Sequence, residues 1–125
     1  MKTSTLPGAE IRKRLLTPKE LLGFGQDAAS HPDPTIHARF IALFSPATWL
    51  IAGYVPATDC VLCYADLYGQ GAKTGQYGEW GWQSLAELES LMVLPDCPRV
   101  ERTPKTMFKA RPFSECVDAR GKITV

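Results

Sequence analysis

The chain has only two histidines, His31 and His37, and this scarcity limits the chemistry it can host; its four cysteines are Cys60, Cys63, Cys97 and Cys116. Neither histidine stands at a metal-ligand spacing or beside a nucleophile signature, so both read as residues of a proline-bearing surface loop. Glycine is plentiful between Gly69 and Gly78, yet neither G-x-x-x-x-G-K-[ST] nor G-x-G-x-x-G occurs there, which argues against a phosphate-binding loop. No apolar run approaches the roughly 18 residues that span a bilayer, which argues against a membrane protein. The opening Met1–Thr5 leads into a charged segment, not a signal-peptide core. A soluble, cytoplasmic chain that is not exported is therefore expected, with its cysteines as reduced thiols. Cys60-Val61-Leu62-Cys63 has the C-x-x-C spacing of zinc and redox sites, but it sits in an apolar, strand-like run where residues three apart face opposite ways. With no second pair to complete a site, no metal and no cofactor are expected.

What remains is an ordinary globular composition. At 125 residues with 45% apolar and 22% charged side chains, the chain can bury one core and is too short for two. A single domain over 1–125 is expected, its core at about 7–103 and an extended or irregular tail at 104–125. Pro7, Glu10 and the stripe Ile11, Leu15 and Leu16 predict a first helix. Thr17-Pro18-Lys19-Glu20 is a capping box that opens a short second helix, ending near Gly23 to Gly25. Residues 26–37 read as a loop.

Four strands follow by pattern. Ala38–Phe44 is apolar on both faces, Thr48–Val55 returns after Ser45-Pro46, Cys60–Tyr68 follows the turn at Pro56–Asp59, and Glu79–Gln83 is the fourth. Alternation places Trp80 and Trp82 on one face, expected to pack on the next helix, and sets Trp49 and Tyr54 on opposite faces. That helix begins at a second capping box, Ser84-Leu85-Ala86-Glu87, and runs over 85–92 with Leu85, Leu88, Leu91 and Met92 inward. The fold class is α+β: an antiparallel sheet of about four strands with two or three short helices and a basic, irregular C-terminal segment.

The formal net charge of +1 conceals a segregation. Residues 1–19 balance to +4, residues 20–98 to −7 and residues 99–125 to +4. Should the two ends meet in space, they form a basic patch, and the acidic body forms another face. The candidate binding residues follow: Asp66, Tyr68, Glu79, Glu87 and Glu89 for the acidic face, and Arg102, Lys105, Lys109 and Arg111 for the basic one. Asp66 and Glu79, at neighbouring strand ends around the glycine-rich loop, are candidates to face a common groove, beside the plainer reading as ordinary strand-end acids. Glu87 and Glu89 lie two apart on a helix and cannot act as a carboxylate pair.

The order Phe40-Ile-Ala-Leu-Phe44-Ser-Pro46, Ala47-Thr48-Trp49-Leu50, Leu62-Cys63-Tyr64-Ala65-Asp66-Leu67, Glu79-Trp80-Gly81-Trp82-Gln83-Ser84-Leu85-Ala86-Glu87-Leu88-Glu89 and Val100-Glu101-Arg102 resembles the bacterial family catalogued as domain of unknown function 2958. The similarity spans about residues 7–103 and departs in the loop at 69–78 and after 103. The resemblance implies an accessory protein of a plasmid, integrative element or phage, and implies no catalytic residue. The leading expectation is a non-enzymatic protein that binds a protein or nucleoprotein complex, with inhibition of a host defence complex as one instance. Two rivals stand beside it: direct nucleic-acid binding by the basic terminal segments, and a small enzyme with a site near Asp66, Tyr68 and Glu79.

Overall fold

Thr48–Val55 is the longest strand, apolar along nearly its whole length, and the sheet is built outward from it. The computed structural model describes residues 15–67, 77–94 and 97–125. Its strands are β1 (Thr35–Ile36), β2 (Ala38–Ala42), β3 (Thr48–Val55), β4 (Cys60–Asp66), β5 (Glu79–Ser84), β6 (Met92–Leu94), β7 (Cys97–Pro98), β8 (Val100–Arg102) and β9 (Arg111–Pro112), and its helix α1 is Leu85–Ser90. Single 3-10 turns occupy Glu20–Leu22, Ala28–Ser30 and Phe113–Glu115. One antiparallel sheet of five strands runs in the order β5-β4-β3-β2-β8, and β1-β9 and β6-β7 form two short ribbons. The α+β expectation holds with sheet dominant. The helix expected after Pro7 lies mostly outside the described residues, and the second shrinks to the 3-10 turn at Glu20–Leu22.

Both faces of the sheet are covered. Phe40, Trp49, Ile51, Tyr54, Val61 and Cys63 face Leu15, Leu16 and the α1 residues Leu85 and Leu88. On the other side Leu50, Ala52, Leu62 and Tyr64 meet Ala28, Ile36, Phe108 and Cys116. Residues 104–125 thus supply part of the core, although their backbone is as irregular as expected. They are held by the β1-β9 pairing, by the Tyr64 hydroxyl donating to the Gly121 carbonyl at 2.6 Å, and by Ser114 donating from N and Oγ to the Asp33 carboxylate, each at 2.8 Å. Burying the Phe108 ring alone contributes about 1.5–3 kcal/mol.

Two expectations about faces are corrected. The register of β3 against β4 shifts between Ile51 and Gly53, a bulge that inserts one residue and returns Tyr54 to the face of Trp49. Both rings are buried, in one cluster. Trp80 and Trp82 do share a face, but it is the one opposite α1: their cross-strand partners are Tyr64 and Leu62, whereas α1 packs with Val61 and Cys63. The indoles are 39% and 52% exposed, and Trp80 leans on Phe113 with ring centroids 4.8 Å apart. The physical reason is the direct passage from β5 into α1 at Ser84, whose Oγ accepts from the Glu87 N–H; the chain turns onto the Val61 side there.

The bulge also fixes the turn that carries the candidate site. A Cβ on Gly53 would lie 2.3 Å from the Gly25 carbonyl, and one on Gly25, at φ +60, would lie 2.2 Å from that of Ala52. Only glycine lets these backbones touch. The Tyr54 N–H then donates to Phe24 O at 2.9 Å, clamping the 20–25 turn to β3.

Candidate functional site: a basic-rimmed groove around Glu20

The site begins with the first capping box. The Thr17 N–H donates to Glu20 Oε1 at 2.8 Å and the Glu20 N–H donates to Thr17 Oγ1 at 3.3 Å, so the carboxylate is oriented by its own turn. Edge strand β8 delivers Arg102 to it from the other end of the chain. Nη1 donates to Oε1 and to the Leu15 carbonyl (3.3 Å), and Nη2 donates to Oε2 at 3.0 Å. This two-pronged geometry is the strong form of an arginine–carboxylate pair. The Lys105 ammonium stands 3.7 Å from Oε2 on a largely exposed side chain.

Burial alone would raise the Glu20 pKa. Hydrogen bonds from Arg102 and the Thr17 N–H, with the charges of Arg102 and Lys105, outweigh it and bring the value from 4.5 down to about 2. His37 completes the wall. Its ring meets Phe24 edge-on at 4.5 Å, and its pKa is lowered by burial and by the Arg102 charge, against the opposing pull of Glu20. Glu20, Phe24, His37, Arg102, Lys105 and Lys109 line a groove of about 360 Å³. A second depression shares Glu20, Phe24 and Lys105 and reaches Lys19. Arg102 and Lys105 thus engage the carboxylate, while Lys109 lines the groove and Lys19 the adjoining depression. Positive potential is left at the rim, on the exposed Lys19, Lys105 and Lys109.

Of the basic candidates, Arg102, Lys105 and Lys109 are thus brought together. Arg111 stands beside them, its guanidinium 5.5 Å from the Phe108 ring centroid and its Nε donating to the Lys109 carbonyl at 3.2 Å. The acidic candidates do not gather. Ala65 is the cross-strand partner of Glu79, so Asp66, one residue on, points to the opposite face and the two share no groove. Asp66 and Glu89 are buried, Glu79 and Glu87 are exposed, and Tyr68 lies outside the described residues. Glu87 accepts from Gln83 Nε2 at 3.4 Å on the surface of α1. Asp59 accepts from the Tyr54 hydroxyl at 2.7 Å. The negative charge of the body is dispersed among local structural tasks.

Cys60 and Cys63 fall on opposite faces of β4, Cys63 deep enough that burial pushes its thiol up to about 12. Among the described residues, no three His, Cys, Asp or Glu side chains cluster as metal ligands, and no helix is long and apolar enough to cross a membrane. Lys19, Glu20, Phe24 and His37 were not singled out from the sequence as site residues. The capping box was a signal for Glu20; His37 had none, because its place in the wall depends on β1 and β2 being joined behind it. No family model, no curated protein and no solved structure matches the chain.

Proposed function

We propose that this chain is a non-enzymatic binding protein that holds a macromolecular partner, a protein or nucleoprotein complex with an anionic surface, against the Lys19–Lys105–Lys109 rim. The observation that carries the reading is the convergence of the basic segments: Lys19, from the N-terminal one, and Lys105, from the C-terminal one, border a single depression. Clustered like charge on a fixed scaffold steers an oppositely charged surface and sets its orientation. The scaffold here is braced: the Arg102–Glu20 pair spans the groove floor, and the Gly25–Gly53 approach packs the turn against β3.

The acidic face loses support as a contact surface, since two of its members are buried and two carboxylates point to opposite sides of the sheet. The mobile-element setting and the inhibition of a host defence complex belong to the same proposal and rest on the sequence resemblance alone. The test is affinity capture from bacterial extract with and without nuclease treatment. A protein retained in both, and lost when the rim lysines are changed, supports the proposal. Retention of bare nucleic acid alone refutes it in favour of direct nucleic-acid binding.

A further inference from the structure

The two edges of the main sheet are built differently. β8 is three residues long, carries Glu101 and Arg102, and is followed at once by Thr103-Pro104, the usual defences of an edge against further pairing. β5 has six residues, Glu79-Trp80-Gly81-Trp82-Gln83-Ser84, with no proline, lysine or arginine and one charge at its first position. Among the described residues nothing pairs with its outer side. One face of this edge carries the half-exposed indoles of Trp80 and Trp82; on the other, a Cβ on Gly81 would meet no described atom within 4 Å. Trp80 is held upright by Tyr64 and Phe113, at 5.7 and 4.8 Å between ring centroids, so the platform is preorganised.

We infer that β5 pairs antiparallel with β5 of a second copy of this chain, joining two five-stranded sheets into one. The strand is self-complementary in one register. A two-fold axis normal to the sheet centres the pairing on one residue and keeps like faces on the same side. Centred on Gly81, each Trp80 lies opposite the second copy's Trp82, and each Glu79 opposite a neutral Gln83. The four indoles then form one cross-strand aromatic ladder, the favourable kind of pair in such a sheet, and no like charges meet. Centring on Trp82 would instead set Trp80 against Ser84 and keep one aromatic pair. A net charge of +1 offers little long-range repulsion to association.

The experiment is light scattering of the full chain over a concentration series, with Trp82→Lys as the edge-blocking variant and thermal unfolding as its folding control. The expected result is a wild-type mass of twice 13.8 kDa and a monomeric, folded Trp82→Lys. Register is read by oxidative cross-linking. Directly opposite residues have Cα atoms about 4.5–5.5 Å apart, within disulfide reach, so Gly81→Cys is expected to link the copies about tenfold faster than Gln83→Cys. A wild-type chain that is monomeric throughout, a dimer indifferent to Trp82→Lys, or equal cross-linking by the two cysteine variants would each overturn the inference. So would an edge that remains monomeric and takes up a foreign peptide strand.

Discussion

Arg102 grips both carboxylate oxygens of Glu20 across 82 residues of sequence, with Nη2 3.0 Å from Oε2. The pair ties the 17–25 turn to β8, and so fixes the two walls of the groove relative to one another. Removing one partner leaves the other charge largely buried, which costs about 3–5 kcal/mol in a fully buried pair. Both side chains keep some exposure, 11% and 17%, so Glu20→Gln is expected to cost less, about 2–3 kcal/mol, in urea denaturation at neutral pH.

The same pair predicts a pH dependence. Because the folded-state pKa of Glu20 lies below its ordinary value of 4.5, its contribution is complete above pH 4.5 and is lost as the pH falls through about 2. Wild-type stability minus that of Glu20→Gln should therefore shrink across this window. A difference that stays constant from pH 5 to pH 2 would show that the carboxylate is not held as described.

The C-terminal segment is expected to behave as core. Phe108→Ala should cost about 3–5 kcal/mol, as for buried rings generally, and Tyr64→Phe about 1 kcal/mol through loss of the bond to Gly121. Trp49→Ala should be as costly as Phe108→Ala. Trp82→Ala, at a half-exposed indole, should change monomer stability by less than about 1 kcal/mol. Equilibrium unfolding of the four variants decides the ordering, with the protein dilute enough to exclude self-association.

The contrast shows what was legible in advance. The four long strands, both capping boxes and the turn at Gly23 could be read because each is specified by neighbours in sequence: alternation, a Thr or Ser three residues before a Glu, a glycine at φ +103. β1, β8 and β9 are two or three residues long and form through partners up to 77 residues away, so no local pattern announces them. The face of Tyr54 escapes simple alternation because a bulge has no signature stronger than one glycine. The side on which α1 would land was also undetermined, since alternation pairs Trp80 with Trp82 without saying which side the helix covers. The groove was half legible: its cations stood out as a charge excess, while Glu20 and His37 reach it only through long-range packing.

Thiol reactivity should follow burial. Cys63 and Cys116 are enclosed, with thiols pushed up by burial to about 12 and about 11, and Cys60 is partly exposed. Brief alkylation of the native protein followed by peptide mapping should label Cys60 ahead of Cys63 and Cys116. Equal labelling of all three would mean that the sheet opens on the labelling timescale.

The most direct test of the anionic-partner proposal is a titration of the captured partner with wild-type protein and with the double variant Lys105→Gln, Lys109→Glu at about 150 mM salt, where only close charges act. Glutamine at 105 avoids repulsion with Glu20, and both lysines are exposed, so stability should fall by no more than about 1 kcal/mol in thermal unfolding. The variant is expected to bind at least about tenfold more weakly, roughly 1.4 kcal/mol. Equal affinity of the two proteins would contradict it.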